Sequence, residues 1–353
     1  MRQTIPILKK ERNSNLELYR IVTMLLIVAH HYVVNSGLIQ IMQNSETTNN
    51  SIFLYIFGMW GKTGINCFML ITGYFMCKSN ITIRKFLKLL LEVEFYKIII
   101  YFIFIISGYE AFTLKGCIKS LLPITSVAYG FTSCFLLFYL CIPFLNILIQ
   151  NLTKEMHQKL LYLSLGIYTI LYTLPGIYVA YNYVSWFCIL YFIASYIRIY
   201  GFYPNISTTQ WGWLSLISVF LSISSVLLLI NTSHTFWLVS DSNAIFAVTT
   251  AVCSFMYFKG INLKQSKIIN LIGGSTFGVL LIHANSDTMR QWLWKDTLNN
   301  VSYFNSETLI FHAIASVIII YAICIVIDRI RIITFERYVF NHIDQFLAKH
   351  NLK

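Results

Sequence analysis

Apolar residues along the chain fall into long blocks, and ten of these approach the length of a bilayer-crossing helix. They run Leu18–Ile39, Phe53–Cys77, Phe86–Gly108, Gly130–Ile149 and Leu160–Gly176 in the first half. Tyr183–Tyr200, Trp211–Asn231, Ala244–Lys259, Thr276–Trp294 and Leu309–Ile327 follow. About twenty apolar residues at 1.5 Å rise match a hydrocarbon core roughly 30 Å thick. Short polar segments separate the blocks and hold most of the charge. The pattern predicts an all-α polytopic membrane protein with about ten transmembrane helices. Pro123, Pro143 and Pro175 lie near the fourth and fifth blocks, where they can bend or end a helix.

Composition agrees with this reading. Of the 353 residues, 57% are hydrophobic and 11% charged, whereas soluble domains carry about 25% charged residues. That excludes a soluble enzyme and a disordered or fibrous chain. The net charge of +12 would suggest nucleic acid in a soluble protein, but here topology accounts for it and no nucleic-acid partner is expected. With the N-terminus inside, twenty basic residues fall in inside segments and only Lys115, Lys119 and Lys295 outside. Both termini are therefore expected in the cytoplasm. The expected organisation is a cytoplasmic N-terminal segment 1–17, a transmembrane domain 18–327 and a cytoplasmic basic tail 328–353. The eight cysteines form no CxxC pair and lie mostly in apolar blocks, as small core residues do. No metal site is expected, because two adjacent histidines on a regular helix cannot meet at one ion.

The first block holds the sharpest chemical signal. Arg20 and His31 are eleven residues apart, three helical turns plus about 20°, so they share a face roughly 16 Å apart along the axis. His30 is rotated by about 100° and is expected to face elsewhere. Glu17, three residues before Arg20, can orient its guanidinium. The plainer alternative makes Arg20 a topology anchor and His31 a hydrogen-bonded interior histidine.

Once the inside and outside segments have taken their basic residues, Lys62, Lys97 and Arg290 remain within the blocks. Intramembrane charges are costly and usually face a bundle interior or watery cavity. Lys62 lies among Gly58, Gly61 and Gly64, whose spacing also suits close helix packing. Gly61-Lys62-Thr63 is no nucleotide loop, because Ile56 stands where that motif needs glycine. His283, Asp287 and Arg290 are spaced four and three apart in the ninth block, which places them along one helix face. An internal Asp287–Arg290 ion pair would explain two of them without a substrate. Glu94 and Lys97 form another expected structural pair.

The string Glu17-Leu18-Tyr19-Arg20 … Ala29-His30-His31-Tyr32 resembles the opening helix of the acyltransferase-3 family of integral-membrane acyltransferases, whose signature is arginine, ten residues, histidine. The stretches Gly64–Tyr74, Leu136–Asn146 and Phe277–His283 are similar to the family too, and in the same order. The resemblance implies an enzyme that moves an acyl group, usually acetyl, from cytoplasmic acyl-CoA to a hydroxyl of an envelope glycan or its lipid-linked precursor. It implies a stand-alone membrane domain in a cell membrane, with membrane lipids as surroundings and acetyl-CoA as substrate in place of a bound cofactor. The wealth of Ile, Asn, Lys, Tyr and Phe suggests an AT-rich genome, and a bacterial plasma membrane is expected.

Acyl transfer needs a base for the hydroxyl proton and stabilisation of the oxyanion. The resemblance points to His31 and Arg20 as catalytic. His31 can serve as base or become transiently acylated. Arg20, oriented by Glu17, suits donor phosphates, with Arg84 and Lys85 as a second basic group. Plain topology or contact with anionic lipid is the better explanation of the trio Arg84, Lys85 and Lys88. Lys62, Asn66, His283, Asp287 and Arg290 are candidates for the acceptor or oxyanion site. The competing function is a transporter or flippase of an envelope precursor, since buried charges in a ten-helix bundle fit that class too.

Overall fold

A computed structural model describes residues 12–125, 127, 130–202 and 205–349. Arg2, Lys9, Lys10 and Lys353, part of the charge pattern above, lie outside the described residues. The described chain is helical, with no strand among its residues. The helices are α1 (Ser14–Val34), α2 (Leu38–Asn44), α3 (Asn49–Gly58), α4 (Gly61–Met76), α5 (Ile83–Ile106), α6 (Leu114–Ser120), α7 (Phe131–Asn151) and α8 (Lys154–Leu165). The second half comprises α9 (Tyr183–Tyr200), α10 (Thr208–Leu228), α11 (Ile245–Gly260), α12 (Lys267–Gly273), α13 (Thr276–His283), α14 (Asp287–Arg290), α15 (Leu309–Arg331) and α16 (Arg337–Lys349).

Helix occupies the body of all ten apolar blocks, but not always as one straight rod. Five helices are long and apolar enough to cross a membrane: α1, α7, α9, α10 and a continuous rod Leu309–Leu347. A sixth follows if the bent pair Lys267–His283 and Asp287–Tyr303 forms one span. Helix α5 has the length but carries six charged residues.

Two expected spans are broken. The second block splits into α3 and α4 around Met59 and Trp60, and the first piece starts early at a capping box between Thr48 and Ser51. The ninth block turns through 94° after His283. Asn285 closes the first piece by donating to the Leu281 carbonyl at 3.0 Å, and Ser286 starts the second by accepting from Met289 N at 3.1 Å. His283 and Asp287 therefore do not share a helix face, contrary to the spacing argument. The fifth block starts earlier than expected, at the Thr153 cap, and continues from α8 as π-helical Gly166–Leu171. Pro143 is accommodated inside α7 without a break.

Helix α1 is the hub, touching α3, α4, α11, α12, α13 and α15. Its contact with α3 and α4 explains the glycine stripe. A Cβ at Gly58 would lie 2.8 Å from Val33, one at Gly61 would collide with the His30 ring, and one at Gly64 would lie 2.7 Å from Ile27. Positions advance by three on one element and retreat by three on the other. The two backbones are antiparallel and as close as side chains permit. At the bundle periphery, Ile103, Phe144, Phe220, Phe311 and Ile318 expose large apolar side chains, as a lipid-facing surface requires.

Candidate active site

The last turns of α1 carry His30 and His31, and both border one cavity of about 300 Å³. Residues of α4, α5, α7, α13 and α14 complete it, with Pro123, Thr125 and Gly130 and with Tyr183 at the start of α9. His30 was expected to face away. It reaches the cavity because the space wraps around the end of α1 and Gly61 leaves room for its ring.

The hydrogen bonds assign a proton to each imidazole. His283 is fully buried, and its Nδ1 lies 2.6 Å from the Val279 carbonyl oxygen. That oxygen can only accept, so His283 Nδ1 donates. In the neutral ring His283 Nε2 then accepts, and its partner is His31 Nδ1 at 2.9 Å. His31 Nδ1 must donate, which leaves His31 Nε2 with a free lone pair. A histidine held this way bordering a cavity is a base already in its reactive tautomer. His283 thus lies behind His31 and is not among the residues bordering the cavity.

His30 has a different tie. Its Nδ1 lies 2.6 Å from the carbonyl of Gly58, the last residue of α3. It satisfies a helix-terminal acceptor at the break between α3 and α4 and is pinned there by Gly61. That is a structural duty.

Arg20 lies three turns from His31 and does not border this cavity. Its Nη1 meets Glu17 Oε1 at 2.9 Å, the pairing expected from the spacing, while the other Glu17 oxygen meets Arg12 Nη1 at 3.4 Å. Glu17 is 3% exposed and sits against Gly273, where a Cβ would lie 2.5 Å from its carboxylate. Two arginines thus share one buried carboxylate at the N-terminal end of α1. Arg12, which the sequence offered only as a topology charge, belongs with Arg20.

The remaining candidates separate. Lys62 borders the cavity and donates to the Tyr183 hydroxyl at 2.5 Å. Arg290 borders it too and pairs with Asp287 at 2.7 Å, as expected, while the Asp287 side chain is 90% exposed. Asn66 is fully buried with both ends of its amide engaged: Nδ2 donates to the Ser242 carbonyl at 2.6 Å and Oδ1 accepts from Trp186 Nε1 at 2.9 Å. Arg84 pairs with Asp344 of α16 at 2.5 Å, and Lys85 donates to Ser79 and the Asn80 carbonyl, both away from the histidines. The expected Glu94–Lys97 pair does not form. Lys97 donates to the Leu122 carbonyl and borders the cavity, while Glu94 Oε1 is buried without a hydrogen-bond partner.

A second polar cluster escaped the sequence reading. Arg331 is 4% exposed and meets Glu92 at 3.0 Å, Asp328 at 2.9 Å and Glu336 at 3.0 Å. Tyr96 donates to Asp328 at 2.8 Å. Arg331 had counted as a loop charge; its spacing of three from Asp328 was the available signal. This network joins α5 to α15 and stands apart from the histidine cavity.

Bundle and cavity define the class: an all-helical membrane protein with a histidine-bearing polar chamber against its central helix. The family model described as Acyltransferase domain (Acyl_transf_3) matches residues 13–329, and the chain belongs to the acyltransferase-3 family. The family's activity is acyl transfer at a membrane, in line with the resemblance read from the first, second and ninth blocks. No curated protein and no solved structure matches the chain.

Proposed function

We propose that this protein is an integral-membrane O-acyltransferase that moves an acyl group, acetyl in the simplest case, from cytoplasmic acyl-CoA to a hydroxyl of an envelope glycan or its lipid-linked precursor. The observation that carries this reading is the chain of hydrogen bonds Val279–His283–His31, which leaves a basic nitrogen on a cavity at one end of α1. At the other end, Arg12 and Arg20 converge on Glu17. The ten helical segments are taken as crossings, with both termini in the cytoplasm, and the domain as 18–327 between cytoplasmic segments 1–17 and 328–353. The membrane is then a bacterial plasma membrane.

On this reading the phosphates of the donor sit at Arg12 and Arg20, because a guanidinium fork suits phosphate geometry. The pantetheine arm follows α1 for roughly 16 Å and brings the thioester to His31. His31 Nε2 takes the acceptor hydroxyl proton as the oxygen attacks the thioester carbon. The tetrahedral intermediate collapses with cleavage of the C–S bond, and the CoA sulfur leaves with the proton from His31. The imidazolium formed in between keeps its Nδ1–H on His283. Nearby Lys62 and Arg290 supply positive charge as the oxyanion develops.

Comparing the O-acetyl content of surface polysaccharides by NMR, with and without the gene, tests the substrate class. The expected result is loss of glycan O-acetyl signals on deletion. An unchanged profile, with acylation lost from a small molecule or protein, would overturn the glycan acceptor. Movement of a solute without thioester consumption would overturn the transferase itself.

A further inference from the structure

The cavity beside His31 has an unusual charge. Lys62, Lys97 and Arg290 all border it, and no aspartate or glutamate does so among the described residues. Each cation comes from a different helix, so helical spacing alone does not explain their convergence. Arg290 has a partial counter-ion in Asp287, whose side chain points out to the exterior. The hydrogen bonds of the lysines go to neutral partners, the Tyr183 hydroxyl for Lys62 and the Leu122 carbonyl for Lys97, while Glu94, which does not border the cavity, offsets part of the Lys97 charge from outside it. An ammonium has three hydrogens to give, so these contacts leave donors over on both. Three positive charges facing one chamber, with their carboxylates outside its lining, are only partly compensated, and the cost of holding them there falls when an anion enters.

We propose that this chamber binds an anionic group of the acceptor, a phosphate or carboxylate placed near the hydroxyl that receives the acyl group. The inference rests on the transferase reading and adds the acceptor's charge to it. The donor also has phosphates, but its arginine site lies at the other end of α1, about three turns away. Lys62 and Lys97 would fix the anion, and Arg290 would close the site from α14. The hydroxyl is thereby presented to a base that does not itself carry charge. A neutral sugar would leave the cations unmatched and bind weakly.

The test uses the full chain purified in detergent and titrated with three probes: glucose 1-phosphate, methyl glucoside and CoA. Glucose 1-phosphate should bind at least about tenfold more tightly than methyl glucoside, the worth of one charge-assisted hydrogen bond. Lys97→Gln should remove most of that advantage and Lys97→Arg should keep it, while CoA affinity stays within about twofold in both, which also reports that they fold. Equal binding of the two sugars by the wild type would overturn the proposal. So would a loss of CoA affinity in Lys97→Gln matching the loss for the sugar phosphate, since the anion would then be the donor's. Hydrolysis of acetyl-CoA by the wild type, measured alongside, reports on the transferase reading separately.

Discussion

His31 Nδ1 stands 2.9 Å from His283 Nε2, which joins two residues 252 positions apart into one proton-ordered pair. Because the far side of His283 donates to the Val279 carbonyl, the pair has a direction, and the open nitrogen belongs to His31. His283 acts through its neighbour and is a positioning residue. His283→Ala should lower kcat by about 10–100-fold with little change in the donor KM, since it frees the tautomer without touching the phosphate site. His283→Gln, whose amide can still accept from His31 Nδ1, should recover part of the loss. Steady-state kinetics on both variants checks this, and equal loss in the two would remove the tautomer argument.

His30 and His31 share a cavity but not a duty. His31→Ala should cost at least about 100-fold in transfer, the usual contribution of a general base, with the protein still folded. His30→Ala should keep substantial transfer but lower thermal stability, because the Gly58 carbonyl loses its partner. Activity and melting measured on the same preparations separate the two roles.

At the other end of α1, Arg20→Lys should weaken CoA binding in a salt-sensitive way with less effect on the acceptor. Glu17→Gln should disturb the same site by loosening both Arg12 and Arg20. Titration calorimetry with CoA at two salt concentrations reads the effect. Unchanged affinity in Arg20→Lys would leave Arg20 a topology anchor.

Close packing of α1 on α4 sets a stability prediction. Gly61→Ala places a methyl group into the His30 ring and should destabilise the protein by about 1–3 kcal/mol, as overpacking does. Gly166→Ala, where nothing lies within 4 Å of the new Cβ, is the control. Thermal unfolding in detergent compares them.

Topology is tested by reporter fusions after Asn44 and after Lys353, which should report opposite sides of the membrane. The same side for both would contradict the ten-crossing arrangement.

Much of the bundle is legible in the sequence because apolar length is a direct consequence of bilayer thickness. The Arg20–Glu17 contact is legible too, since three residues on a helix always bring side chains together. Long-range convergence is not. Nothing local marks His283 as the partner of His31, and the 94° turn after it depends on side-chain caps at Asn285 and Ser286 that apolar periodicity hides. Lys97 looked paired with Glu94 at three residues, yet the Leu122 carbonyl from a distant loop takes its hydrogen bond. The glycines at 58, 61 and 64 were readable as a packing stripe, but their register against Val33, His30 and Ile27 needed the fold.

Incubating the purified protein with acetyl-labelled CoA, a sugar phosphate acceptor and either wild-type chain or His31→Ala tests the central claim most directly. The account predicts that label appears on the acceptor hydroxyl with release of an equal amount of CoA, and that both signals collapse in His31→Ala while CoA still binds. Transfer at wild-type rate by His31→Ala would contradict it.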